Sequence, residues 1–282
     1  MRRHELSDAE WEFIRPLLPV SSRGRKRLDD RRVLNGIVWK FRTGTAWRDV
    51  PERYGSWATL HTRFRRWAKD GTFERMLRAA QAKADAAGDI NWLVSVDSTV
   101  VRAHQHAAGS HCEATKTVTG LCPPALGRSQ GGLTSKIHLA CDGLGRPLAF
   151  TLTGGKTNEC TQFSAVMEAI RVPRLGPGRP RVRPAHALGD KGYSSRAMRT
   201  WLRHRDIPHT IPERADQVRN RLRRGSQGGR PPAFDKQVYK RRNVVERRFN
   251  RLKQWRGIAT RYDKTAESYQ AAVTLASPLM WA

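Results

Sequence analysis

The sequence predicts an α/β region preceded by an all-α, helix-turn-helix-like region. Three observations carry this reading. Residues from about 5 to 88 keep a helical hydrophobic period. From Asn91 the pattern changes to short apolar runs bounded by turn residues. Those runs then come in the order three strands, helix, strand, helix, strand, helix, which suits a mixed five-stranded sheet flanked by helices.

The N-terminal elements follow from their caps and stripes. Ser7 with Glu10 makes a capping-box pattern ahead of Trp11, Ile14 and Leu17, and Pro19 closes the segment. SSRGRKR is a basic loop. Asp29 or Asp30 caps a second helix with Val33, Ile37, Val38 and Phe41 inward. A turn region holding Pro51 and Gly55 leads to Ser56, which caps a third helix burying Leu60, Phe64 and Trp67. A fourth begins near Thr72. The third helix carries Arg63, Arg65, Arg66 and Lys69, which suits a DNA reader; a plain helical bundle with a basic surface is the rival account. ADAAGD, residues 84–89, marks the boundary, so the division is 1–88 and 89–282.

In the second region WLVSVD is a buried strand ending in Asp97. SKIHLACD and PLAFTLTG form two more around the turn Gly143-Leu144-Gly145. Asn158 caps a helix, and the run PRLGPGRPRVRP is a basic Pro/Gly loop. PAHALGD is a fourth strand ending in Asp190. Ser194 or Ser195 caps another helix, and IPHTIPE is the fifth strand. Residues 219–232 read as a mobile basic loop. No internal repeat is visible.

Charge narrows the partner. Lys and Arg total 53 against 25 Asp and Glu, a formal net charge of +28 over 282 residues. That excess suits a polyanion, nucleic acid before an anionic membrane. The N-terminus lacks the apolar stretch of a signal peptide and no transmembrane span stands out, so a cytoplasmic protein is expected. The four cysteines have no CxxC spacing, which leaves free thiols and no zinc ribbon.

The last helix, Tyr239 to Trp255, contains no Pro or Gly. At 3.6 residues per turn Tyr239, Arg242, Glu246 and Lys253 share an arc of roughly 60°. Val238, Val245, Phe249 and Leu252 form an apolar stripe beside them. One carboxylate among cations stays ionised, as a hard divalent cation requires of its oxygen ligands. Asp97 and Asp190, at the carboxyl ends of two strands, with Glu246 from a packed helix, form a set able to hold two such cations for phosphodiester displacement.

These residues resemble transposases of the IS5 group within the IS4-like insertion-sequence superfamily, and the match runs nearly end to end. Tyr239, Arg242, Glu246 and Lys253 meet the family's Tyr-x2-Arg-x3-Glu-x6-Lys signature without a gap. VDST at Asp97 and Asp190-Lys191-Gly192-Tyr193 match the blocks of the first and second acids. The stretches at 127–148 and 250–264 also look like this group. The resemblance implies an RNase H-like DDE catalytic domain, with Asp97, Asp190 and Glu246 as catalytic metal ligands. Mg²⁺ is the expected ion and Mn²⁺ the alternative. It implies double-stranded DNA as partner, both terminal inverted repeats and target, with Tyr239, Arg242 and Lys253 on phosphates. A homodimer or higher oligomer on DNA is expected, in a bacterial cytoplasm and at the nucleoid when DNA-bound. A nuclease without strand transfer and a non-catalytic DNA-binding relic are the rivals.

Other candidates are weighed against simpler roles. Asp142 also ends a strand, but Gly-Leu-Gly after it favours a hairpin turn. Glu159 and Glu168 lie in a helix covering the sheet. His104, His106, His111 and Cys112 match no standard zinc spacing. Ser98 and Thr99 lack a base partner for nucleophilic chemistry. Lys136, on a strand pairing with the first, is placed near the metals or phosphates, and Arg63 and Arg66 on DNA. Trp201 or Trp255 could stack on an unpaired base, with packing the plainer role.

Overall fold

A computed structural model of the chain describes residues 3–19, 28–108, 125–129 and 131–281. The loop at 21–27, His111, Cys112, Cys122 and Gln130 lie outside the described residues.

Four helices come first: α1 (Asp8–Ile14), α2 (Asp30–Thr43), α3 (Trp57–Lys69) and α4 (Thr72–Ala86). Their starts follow the local chemistry. Ser7 Oγ accepts from Glu10 N at 3.0 Å while Glu10 returns the favour to Ser7 N at 2.7 Å. Asp29 caps α2 through Arg32 N, and Gly44, at φ +75°, ends it in the left-handed region that glycine adopts without penalty. Ser56 sits at the cap of α3 but its side chain makes no capping bond. The connection from α2 to α3 spans residues 44–56 and contains two 3-10 turns, far longer than the three- to four-residue link of a helix-turn-helix.

The sheet is built from β1 (Leu93–Ala103), β2 (Gly132–Cys141), β3 (Pro147–Gly154), β4 (His186–Leu188) and β5 (His209–Thr210). Their spatial order is β3-β2-β1-β4-β5. The first three strands are antiparallel and β4 and β5 run parallel to β1, which is the RNase H-like arrangement. Short strands Gly127–Ser129 and Thr260–Arg261 extend it beside β2 and β1. β1 does not stop at Asp97, as the sequence suggests. Its pairing with β2 continues to Arg102↔Thr134, and Thr260–Arg261 then covers its far end. Backbone partners remote in sequence decide where a strand ends.

Helices α5 (Glu159–Glu168) and α6 (Arg196–His204) cover one face of the sheet, packing Phe163, Val166, Met167 and Leu202 on Val94, Val96 and Ala140. After them come α7 (Ala215–Arg223), α8 (Lys236–Lys240), α9 (Asn243–Lys253) and α10 (Ala266–Ala276). On the opposite face Val244, Val245, Phe249 and Leu252 of α9 meet Val101, Ile137 and Leu139. The N-terminal helices join this same core through Leu34, Ile37, Phe41 and Phe64. Among the described residues no helix is long and apolar enough to cross a membrane.

Two expectations need correction here. Residues 219–223 are not loop. They complete α7, which is framed by ion pairs Arg221–Glu213 at 2.8 Å and Arg214–Asp216 at 3.0 Å. The stretch 239–255 is not one helix either. It breaks at Arg241 and Arg242, where Arg241 N, Arg242 N, Val244 N and Val245 N all bond three residues back. That 3-10 tightening shifts the phase between Tyr239 and Glu246.

Candidate active site

Because side chains alternate across a strand, Asp97 shares the face of Val101, toward α9, while Ser98 turns to α5. Asp97 opposes Leu139 of β2. Its Oδ1 accepts from Ser98 N at 2.8 Å and its Oδ2 from Arg242 Nη1 at 3.0 Å. The second guanidinium nitrogen of Arg242 donates to Glu246. One arginine therefore ties an acid in β1 to an acid on α9. The break before α9 puts Arg242 at the start of that helix, one turn ahead of Glu246.

Asp190 follows β4, the parallel neighbour of β1. It caps a single 3-10 turn, Lys191–Tyr193, by accepting from Gly192 N at 2.8 Å. A Cβ at Gly192 would stand 2.8 Å from Asp190 Oδ1, so a larger residue there would push the carboxylate out of its present position. The motif Asp-Lys-Gly-Tyr is thus a carboxylate folded over its own turn.

The electrostatics single out Asp97. Burial pushes its pKa up to about 6, and the charges of Asp190 and Glu159 add to the rise. Ser98 N and Arg242 oppose the shift without cancelling it. Tyr193 is fully buried, its hydroxyl meets no hydrogen-bond partner among the described residues, and burial with the charges of Asp97, Glu159 and Asp190 raises its pKa.

By donor type, three carboxylates suit a hard divalent cation such as Mg²⁺. Asp97 is a half-answered carboxylate drawn out of water, and a neighbouring cation would favour its ionised form. The acids do not yet converge: among the described residues no three His, Cys, Asp or Glu side chains stand close enough to hold a metal ion. Glu246 is exposed and linked to Asp97 through the guanidinium of Arg242.

Tyr239 flanks the centre, 5.2 Å from Phe234 between ring centroids, with the Arg242 guanidinium 5.7 Å from its ring. Lys253 Nζ donates to Val100 O at 3.2 Å, and burial lowers its pKa. Arg66 is exposed on α3. Arg63 is not: it is buried, bonds Asp30 at 2.7 Å and lies over Trp67, so it ties α3 to α2 instead of facing DNA. Lys136 is also turned inward. Its Nζ donates to Thr157 O at 3.1 Å and Glu159 at 3.3 Å, on the α5 side of the sheet.

Sequence reasoning passed over Glu159 as a covering residue. The structure places it behind β1, accepting from Ser98 Oγ at 2.6 Å and from Lys136. Its position directly after the helix cap Asn158 was the only available signal. Asp142 behaves as the turn former: fully buried, it accepts from Leu144 N, Arg146 N and the Arg146 guanidinium. His104 packs between His106, edge-on, and the tilted ring of Tyr262. Trp255 is buried in the core, and Trp201 packs edge-on against Phe163.

Two family models match the chain. One, described as "Transposase DDE domain", covers residues 90–281. The other, described as "Putative transposase of IS4/5 family", covers residues 6–77. An "Uncharacterized protein y4sN" of Sinorhizobium fredii is 40% identical over 37% of this chain and 82% of its own length. A "Putative transposase for insertion sequence element IS6501" of Brucella ovis is 27% identical over 53% of this chain and 98% of its own length. A solved Mos1 transposase paired-end complex aligns with 84% of this chain and 82% of its own at 12% identity, but its TM-score of 0.27 is too low to bear on the argument.

Proposed function

Since the chain belongs to the DDE transposase family, whose members transfer phosphodiester bonds in DNA, we propose that it moves an insertion sequence. It would bind the terminal inverted repeats, cleave the element's ends and join the freed 3′-hydroxyls to target DNA. The observation that carries this is the bridge from Asp97 through Arg242 to Glu246, with Asp190 within electrostatic reach of Asp97. A plain surface helix has no reason to aim a guanidinium at a half-buried acid 145 positions away.

Asp97, Asp190 and Glu246 would hold Mg²⁺, or Mn²⁺ in its place. When bound, such ions activate the attacking oxygen and stabilise the leaving one. The chain's own groups do the rest. Arg242, which bonds Asp97 and Glu246, would with Tyr239 and Lys253 hold phosphates of the end being cut, fixing its position without reading its sequence. Arg66 on α3 would add a phosphate contact from the N-terminal region, residues 1–88. Two ends held together call for at least two copies of the chain on DNA.

The test uses the full chain with terminal-repeat DNA, a target plasmid and Mg²⁺. Joined products are the expected outcome, and Asp97→Asn should abolish them. Cleavage without joining would make the protein a nuclease. No chemistry in wild type or variant would leave only a DNA-binding relic.

A further inference from the structure

The segment from Arg171 to Pro184, between α5 and β4, plays no part in the function proposed above. It holds five arginines (Arg171, Arg174, Arg179, Arg181 and Arg183) and no acidic residue. We propose that it is a second duplex-DNA surface, which holds a DNA segment other than the one at the catalytic acids; this rests on the transposase reading.

The segment has a built conformation. Val172 and Arg181 exchange backbone hydrogen bonds of 3.0 and 2.8 Å. Val172 is fully buried in the core beneath α5. Pro173, Pro177, Pro180 and Pro184 restrict the backbone further. Two arginines serve as anchors. Arg181 lies 4.1 Å over the Trp92 ring and reaches Asp85 at 4.0 Å, and Arg183 donates to Asp206 O. The other three, Arg171, Arg174 and Arg179, are exposed, and among the described residues none of them pairs with an acid. Arg174 Nε donates to Arg179 O at 3.3 Å across the tip. The tip itself, residues 175–178, is uncharged. Guanidiniums on a pre-ordered hairpin bind phosphate with little further ordering cost.

Position separates this surface from the acids. Arg181 touches Trp92, whose carbonyl accepts from Ala185 N and His186 N just where β1 and β4 begin. Asp97 lies five residues along β1, about 16 Å away at strand rise, and Asp190 follows the carboxyl end of β4. The hairpin thus stands at the amino ends of these parallel strands, and Asp97 and Asp190 lie farther along them. Its exposed apolar side chains, Leu175 and Val182, are isolated, unlike the continuous apolar face that seats a helix on a membrane.

The variant Arg171→Ala/Arg174→Ala/Arg179→Ala removes only exposed groups, and its melting temperature should match wild type. Binding is measured by anisotropy across a salt series on a long inverted-repeat duplex, and cleavage on a short end duplex. The slope of log K against log salt on the long duplex should become shallower by about 2 to 3, with affinity down about tenfold or more. Cleavage of the short duplex should stay within about twofold of wild type. An unchanged slope and affinity, with wild type active, overturns the surface alone. A parallel loss of short-duplex cleavage would assign the hairpin to the cut duplex and also overturn it. Wild type that neither binds nor cuts either duplex overturns the function itself.

Discussion

Asp97 lies within β1 and Asp142 directly follows β2, the strand paired with it; both are withdrawn from water, but their surroundings differ in kind. Asp142 is fully buried and receives Leu144 N at 3.0 Å, Arg146 N at 2.7 Å and two Arg146 guanidinium nitrogens at 3.0 and 2.7 Å. Every partner comes from its own turn. Asp97 receives one adjacent backbone N–H and one arginine from 145 positions away, and its pKa still rises to about 6. Burial by itself does not mark a functional acid. A carboxylate whose lone pairs are answered locally is structural, and one left partly unanswered beside other acids is the one proposed above to take a cation.

The sharpest break of this contrast is catalytic. Asp97→Asn should lower strand joining by about 10³-fold or more, the several kcal/mol that metal-assisted charge stabilisation supplies. Asp142→Asn should leave joining per folded molecule nearly unchanged. Equal losses in two equally folded variants, scored with the joining assay, would erase the distinction.

Stability should show the reverse order. Asp142→Ala strands the half-buried Arg146 and should cost about 3 to 5 kcal/mol in a denaturant melt. Asp97→Asn should cost nothing at neutral pH and can stabilise. The folded pKa of Asp97 lies near 6, above its ordinary 3.8. Its contribution to stability is therefore complete below the unfolded pKa and disappears as pH rises through about 6. At pH 8 the ionised side chain costs at most about 3 kcal/mol, and losing the Arg242 bond offsets part of any gain on substitution. Melts at pH 4, 6 and 8 should show Asn gaining on Asp as pH rises. A gain that grew toward low pH would refute the assigned shift.

The smallest effect concerns Tyr193. Its buried hydroxyl has no partner among the described residues, so Tyr193→Phe should be neutral or stabilising by about 1 kcal/mol. A marked drop in stability would mean that the hydroxyl is bonded.

Much of the fold was legible because its signals are short-range. Ser7, Asp29, Asn158 and Ser195 cap the helices expected of them, through bonds two or three residues long. The five strands appear where apolar runs sit between turn residues. The errors have a common cause. Arg63 looked like a surface cation until Asp30 and Trp67 enclosed it. Lys136 and Glu159 paired behind the sheet across 23 positions, out of reach of any periodic pattern. The helix through Arg242 broke where its guanidinium meets Asp97, a partner that no helical wheel contains.

The sequence by itself determined the balance of charge, the succession of strands and helices, and which side of α9 is apolar. Periodicity and capping are interactions between residues a few positions apart, so they can be read along the chain. Tertiary structure alone decided that Arg242 reaches both Asp97 and Glu246, that β1 runs on past its acid, and that Arg63 and Lys136 turn inward. Those outcomes depend on which distant surfaces close over a side chain and how far they exclude water, and only the packed molecule sets that.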